Sequence, residues 1–155
     1  FIRIARQLDM SPAERVEKVK ELGLRNTHFM NPHGLDDDMH YSSAHDLAII
    51  AAAALENDTF TEIVSTKTIT VEGFSLRNHN RPLWSCAGAI GVKTGYTVSA
   101  GRTLVSCVER LGVRLICVTL DDSNDWNDHI TLYRWAYGEM DVETSGDLLY
   151  RKSGF

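Results

Sequence analysis

Residues 91 to 97 read Gly-Val-Lys-Thr-Gly-Tyr-Thr, and the Lys93-Thr94-Gly95 triplet sets a cation, a hydroxyl and a residue without a side chain in consecutive positions. Acyl transfer needs a nucleophile with its base and donors for the carbonyl oxygen. Where the substrate ends in a carboxylate, it also needs a positive, hydroxyl-bearing seat. This chain offers material for the last two. The rival phosphate-binding loop, G-x-x-x-x-G-K-[ST], fails because Val92 separates Gly91 from Lys93.

Other clusters invite chemistry less. His28, His33, His40 and His45 with Asp36, Asp37, Asp38 and Asp46 fall at spacings that match no short metal-ligand motif, and capping explains Ser43 to Asp46. No metal and no other cofactor is expected. Cys86, Cys107 and Cys117 cannot all pair and form no C-x-x-C unit. Cys107 and Cys117 fall on two arms of one expected hairpin and could be neighbours, but buried free thiols are the simpler reading. The chain has 155 residues, 43 % hydrophobic and 24 % charged, with a net charge of −5. That suits one globular domain and argues against a nucleic-acid partner. No apolar run reaches the roughly 18 residues of a membrane span, and the first residues lack the pattern of a signal peptide.

The elements that must position Lys93 can be read from caps and periods. Ser11-Pro12-Ala13-Glu14 is a capping box with proline at the first helical position. The helix should run to about Leu22 and stop at Gly23, with Leu24 as hydrophobic companion. Residues 25 to 42 are too dense in turn formers for regular structure. Ser43-Ala44-His45-Asp46 opens a second amphipathic helix of about three turns through Leu47, Ile50, Ala51, Ala54 and Leu55. Residues 63 to 72 read as a strand, with a short partner from Phe74 to Leu76 after a turn at Gly73. Runs 101–108 and 113–120 should pair antiparallel around Leu111-Gly112. Trp126, Ile130, Tyr133 and Tyr137 form one helical stripe ending at Gly138, expected to pack on the sheet. That helix can cover one face of a hairpin apolar on both, so the other face is expected to be exposed and to favour association.

Four landmarks arrive in one order: Glu21-Leu22-Gly23-Leu24 with Asn26-Thr27-His28-Phe29; His33-Gly34-Leu35-Asp36 with Tyr41-Ser42-Ser43-Ala44; Asn78-His79-Asn80 with Leu83-Trp84; and Gly91 to Thr97 with Ala100-Gly101. Together they resemble the D-alanyl-D-alanine carboxypeptidases, the low-molecular-mass penicillin-binding proteins, over residues 18 to 138. The resemblance implies an α/β sandwich, an antiparallel sheet covered by helices, with the active site beside the Lys-Thr-Gly strand. Residues 1–138 would be the C-terminal part of such a catalytic domain, incomplete at its N-terminal side, and residues 139–155 a tail or linker stub.

For the site, the resemblance implies that Lys93 supplies positive potential and that Thr94 donates its hydroxyl to the substrate carboxylate. Gly95 would leave room for substrate backbone, and the backbone N–H of Tyr96 would serve as an oxyanion-hole donor. His79 is a candidate for substrate binding, weighed against a purely structural loop, and Arg102 a minor candidate for carboxylate contact. The family's other motifs, S-x-x-K with the nucleophile and S-x-N, are absent: no serine here has lysine three residues on or asparagine two residues on. The implied activity is part of a serine-type carboxypeptidase acting on peptidoglycan stem peptides through an acyl-enzyme, in the bacterial cell envelope, with this chain alone inactive. Its partners would be stem peptide or a β-lactam, and the missing N-terminal half or a second copy. The alternatives are an inactive fragment or paralogue that only binds stem peptide or a partner chain, and a metal-dependent or structural domain.

Overall fold

The computed structural model describes residues 12–31 and 33–139. Helix α1, Pro12–Glu21, ends as its glycine dictates: Gly23 takes φ +68°, its N–H donates to the Lys20 carbonyl, and the Leu24 N–H reaches back to Val19. This is a Schellman stop. The expected cap at Ser11 lies outside the described residues. The loop to residue 42 is ordered by its own polar groups. His28 and Tyr41 exchange backbone hydrogen bonds of 2.9 and 3.0 Å, and the Asn31 side chain bonds Gly34 N–H and the Leu35 carbonyl.

Helix α2, Ala44–Leu55, starts at Ser43, whose hydroxyl accepts from the Asp46 N–H. The other half of the capping box is not formed. Asp46 is buried and takes the Asn26 N–H at 2.8 Å and the Thr27 hydroxyl at 2.7 Å, tying α2 to the end of α1. Helix α3, Asp58–Ser65, replaces the beginning of the strand expected over 63–72. Asn57 caps it by accepting from Phe60 N–H, and the cap overrides the β-branched Thr59, Thr61, Ile63 and Val64. The strand is shorter: β1, Thr68–Val71, pairs with β2, Phe74–Arg77, across a two-residue turn in which Glu72 and Gly73 both have positive φ. A one-turn helix α4, Pro82–Ser85, follows.

The main sheet has three antiparallel strands in the order β3 (Ala89–Thr97), β4 (Gly101–Arg110), β5 (Val113–Thr119), with the expected turn at Leu111-Gly112. Along β4 the side chains alternate between two covers. Val105 and Cys107 join Val92 and meet Ala51 and Leu55 of α2, with Phe60 and Val64 of α3 at the margin. Val108 faces the other way, onto Tyr133 and Tyr137 of α5, Asp125–Glu139. The helices therefore lie on both faces, and the expectation of a bare second face is corrected: α2 turns its Ala51–Leu55 stripe onto it. The association argued from that bare face loses its premise. The three cysteines are free thiols in the structure, Cys86 and Cys107 buried and Cys117 half-buried.

Candidate functional site

Strand β3 is an edge of the three-stranded sheet, so its outer side carries no partner strand among the described residues. Register places the triplet. Lys93 stands opposite Val105, Thr94 opposite Leu104, Gly95 opposite Thr103 and Tyr96 opposite Arg102. Lys93, Gly95 and Tyr96 are exposed and Thr94 is half-buried. The Lys93 ammonium donates to the Thr94 carbonyl. Although exposed by area, Lys93 has enough protein around it that lost hydration holds its pKa below the ordinary lysine range. A Cβ on Gly95 would meet Thr103 at 3.6 Å, an ordinary contact, so packing inside the chain does not require glycine there.

The end of β3 is pinned by a contact that spans 61 positions. Thr97 donates its hydroxyl to Asp36 at 2.7 Å and accepts from the Ala100 N–H at 3.1 Å, which fixes the loop around residues 33–38 beside the β3–β4 turn. The hydroxyls of Thr97 and then Ser99 lower the Asp36 pKa, against a smaller desolvation that raises it. Gly101 closes the turn at φ +64°, with Asp121 packed where a Cβ would stand. Arg102 next to it makes three bonds to the Asp125 carboxylate, at 2.7, 3.0 and 3.2 Å, and lies 5.2 Å from the centre of the Trp126 ring. Arg81 approaches the same ring at 5.6 Å.

His79 is exposed and makes no hydrogen bond or ring contact among the described residues; its neighbours hold the stretch. Asn78 donates to the carbonyls of Val64 and Thr66 and accepts from the Asn80 N–H, while Trp84 donates its indole N–H to the Asn78 carbonyl. The structure brings the triplet, Asp36, Thr97 and Arg102 to one end of β3, and no hydrogen bond joins His79 to residues 93–96. The Asp36–Thr97 latch and the Arg102–Asp125 pair escaped sequence reasoning because both link residues far apart along the chain. The third omission, His129, had a local signal: it lies on the stripe of Trp126, Tyr133 and Tyr137, three and four residues from the first two.

The family model for D-alanyl-D-alanine carboxypeptidases matches residues 15–124. The chain belongs to that family. It is 40 % identical over 112 residues to the D-alanyl-D-alanine carboxypeptidase DacF of Bacillus subtilis, covering 69 % of this chain and 29 % of that one. With DacB2 of Mycobacterium tuberculosis it shares 31 % identity over 152 residues, 90 % of this chain and 52 % of the relative. The fold agrees with the crystal structure of the Streptomyces K15 DD-transpeptidase at a TM-score of 0.64 and 36 % identity, over 67 % of this chain and 44 % of that one. The chain thus spans between about a quarter and a half of the carboxypeptidases it matches. In this family context its sheet and helices are those of the penicillin-binding-protein fold, seen in part.

Proposed function

We propose that the chain supplies the Lys-Thr-Gly side of a serine-type D-Ala-D-Ala carboxypeptidase site for peptidoglycan stem peptides, in the bacterial cell envelope, with β-lactams as acylating inhibitors. The observation that carries this is the triplet on an open strand edge whose turn is latched by Asp36. An extended peptide can add to that edge as a further strand. Lys93 supplies positive potential where the substrate carboxylate arrives, Thr94 a hydroxyl donor, and the Tyr96 N–H one donor to the developing oxyanion. Glycine at 95, which internal packing does not require, keeps the edge clear for substrate backbone. His79, exposed on the loop before α4, is the candidate for a further contact with the substrate. Residues 1–138 form the catalytic-domain part, and 139–155 a tail or linker.

The chain by itself is inactive in this reading, because no serine of the sequence has an activating lysine three residues on. Intact-mass spectrometry after incubation with penicillin tests both halves of the proposal. The 155 residues alone should carry no adduct, whereas a polypeptide joining them to an S-x-x-K segment should be acylated, about a hundredfold more slowly once Lys93→Ala is introduced. A stoichiometric adduct on the chain alone, or a Lys93→Ala rate within about threefold of the parent, overturns it.

A further inference from the structure

A backbone N–H serves a developing oxyanion only if it is held still, and the end of β3 has a partner strand on one side alone. On that inner side the support is firm. Arg102, opposite Tyr96, is fixed to Asp125 by the three bonds described above. Behind β4, Ser106 Oγ lies 2.6 Å from His129 Nδ1 and 2.8 Å from the Tyr133 hydroxyl, and His129 Nε2 lies 3.1 Å from Thr119 Oγ1. Ser106 and His129 have no exposed surface, so β4 is locked onto α5. On the outer side no strand follows among the described residues, and beyond Thr97 comes a three-residue turn whose Val98 is 91 % exposed.

The Asp36 carboxylate supplies the hold that the strand lacks there. It accepts from the Thr97 hydroxyl at 2.7 Å and from the Ser99 hydroxyl in the turn, while Thr97 Oγ1 accepts from the Ala100 N–H at 3.1 Å. One carboxylate thus gathers the residue that ends β3 and the turn that follows it. Asp36 can do this because its own loop is braced. The Asn31 side chain bonds the Gly34 N–H at 2.8 Å and the Leu35 carbonyl at 2.9 Å, and Asp37 accepts from the Met39 N–H at 2.9 Å. At the base of the loop, Thr27 Oγ1 meets Ser42 Oγ at 2.8 Å and donates to Asp46, which is 1 % exposed in the first turn of α2. A braced arm therefore runs from α2 to the end of β3.

We infer that Asp36 is a positioning residue for acyl transfer: through Thr97 it fixes the end of β3, so that the Tyr96 N–H, one residue earlier, keeps its aim at the developing oxyanion. The link to chemistry rests on the function proposed above; the hold of Asp36 on β3 does not. The Asp36–Thr97 bond is exposed, so its removal frees the strand end without dissolving the sheet behind it. A displacement of about 1 Å at a catalytic donor costs on the order of tenfold to a hundredfold in rate, which sets the size of the expected effect.

Two measurements test the hold and its use separately. In the 155-residue chain, nitrogen-15 relaxation reads the order of single N–H vectors with no activity measured. Asp36→Ala and Thr97→Val should each lower the order parameters of Tyr96, Thr97 and Ala100 from the rigid range of about 0.85 to below about 0.6, with Ser106 and Cys117 in mid-sheet unchanged. Thr97→Ser keeps the donor and should keep the parent values. Parent-like values in Asp36→Ala, or a loss spread over β4 and β5, overturn the inference. In the polypeptide joined to an S-x-x-K segment, stopped-flow mixing with penicillin separates the dissociation constant of the noncovalent complex from the acylation rate constant. The rate constant should fall about tenfold or more in Asp36→Ala and Thr97→Val alike, no further in the double variant, and recover in Thr97→Ser. The dissociation constant should change less than about twofold, because the oxyanion forms only on the way to the acyl-enzyme. An unchanged rate constant with weaker binding, or additive losses in the double variant, refutes the positioning role. A parent polypeptide that is not acylated at all overturns the proposed function and with it the link to chemistry, and the order parameters alone then decide the hold of Asp36 on β3.

Discussion

Two glycines flank β4 in the same backbone region, and substituting each by alanine separates strain from crowding. Gly101 has φ +64° and Gly112 φ +77°, so alanine at either position bears the left-handed cost of about 1–2 kcal/mol. Their surroundings differ. A Cβ on Gly112 would meet nothing within 4 Å, whereas on Gly101 it would stand against Asp121 Oδ1, 2.9 Å from its Cγ and 3.1 Å from its Cα. The carboxylate can swing aside but the Cα cannot, because the neighbouring Asp122 N–H is bonded to the Arg102 carbonyl at 3.0 Å and Asp121 itself has φ +49°. Overpacking of this kind adds about 1–3 kcal/mol. Gly101→Ala should therefore be less stable than Gly112→Ala by about 1–3 kcal/mol, a difference in melting temperature of roughly 4 °C per kcal/mol for a chain of this size. Urea unfolding of the two variants in parallel measures it through the midpoint at constant slope. Equal destabilisation within about 0.5 kcal/mol would refute the claim that Asp121 closes the turn beside the Lys-Thr-Gly strand.

Stability should fall in acid for a reason that can be assigned. The His129 pKa is about 4 when folded against 6.5 for the free group, so the unfolded chain binds the extra proton between these values. The contribution is complete above the free-group value, is lost as pH falls to about 4, and amounts to about 3 kcal/mol; unfolding of the His129→Gln variant across that window should lack this slope. Tyr137→Phe should cost about 1–3 kcal/mol, because its hydroxyl reaches the carbonyls of Val108 and Val113, both at 3.0 Å, and the ring is 4 % exposed. A change below about 0.5 kcal/mol in urea unfolding would mean that water replaces the hydroxyl.

Much of the architecture was legible because glycine and capping residues act locally. Gly23 stops α1, Leu111-Gly112 and Glu72-Gly73 turn the hairpins, and Ser43 starts α2, each through backbone geometry that a short window contains. Helix α3 was missed where two local signals conflict: Thr59, Thr61, Ile63 and Val64 favour a strand, and the Asn57 cap together with packing against β3 decides for helix. Cover for the second sheet face was misjudged because the stripe of α2 shows that a helix has an apolar side but not which sheet it meets. Of the site, the Lys93–Gly95 triplet is visible as a pattern, yet its latch at Asp36 joins positions that only the fold brings together. His129 lay in plain sight on the α5 stripe, but a histidine among Trp126, Tyr133 and Tyr137 gives no sign in sequence of the Ser106 and Thr119 hydroxyls that meet it.

The alternation that sends Cys107 toward α2 and Cys117 toward α5 has a consequence for oxidising surroundings. The two thiols occupy neighbouring strands one position out of register, Cys107 opposite Ile116 and Cys117 opposite Ser106, with the sheet itself between their sulfurs. Both are held protonated, at about 12 and about 11, so neither attacks a disulfide readily while the sheet is intact. A bridge between them can form only after β4 and β5 have separated. Its appearance in a sample would be a covalent record of past unfolding, readable by non-reducing peptide mapping long after the chain had been returned to native conditions.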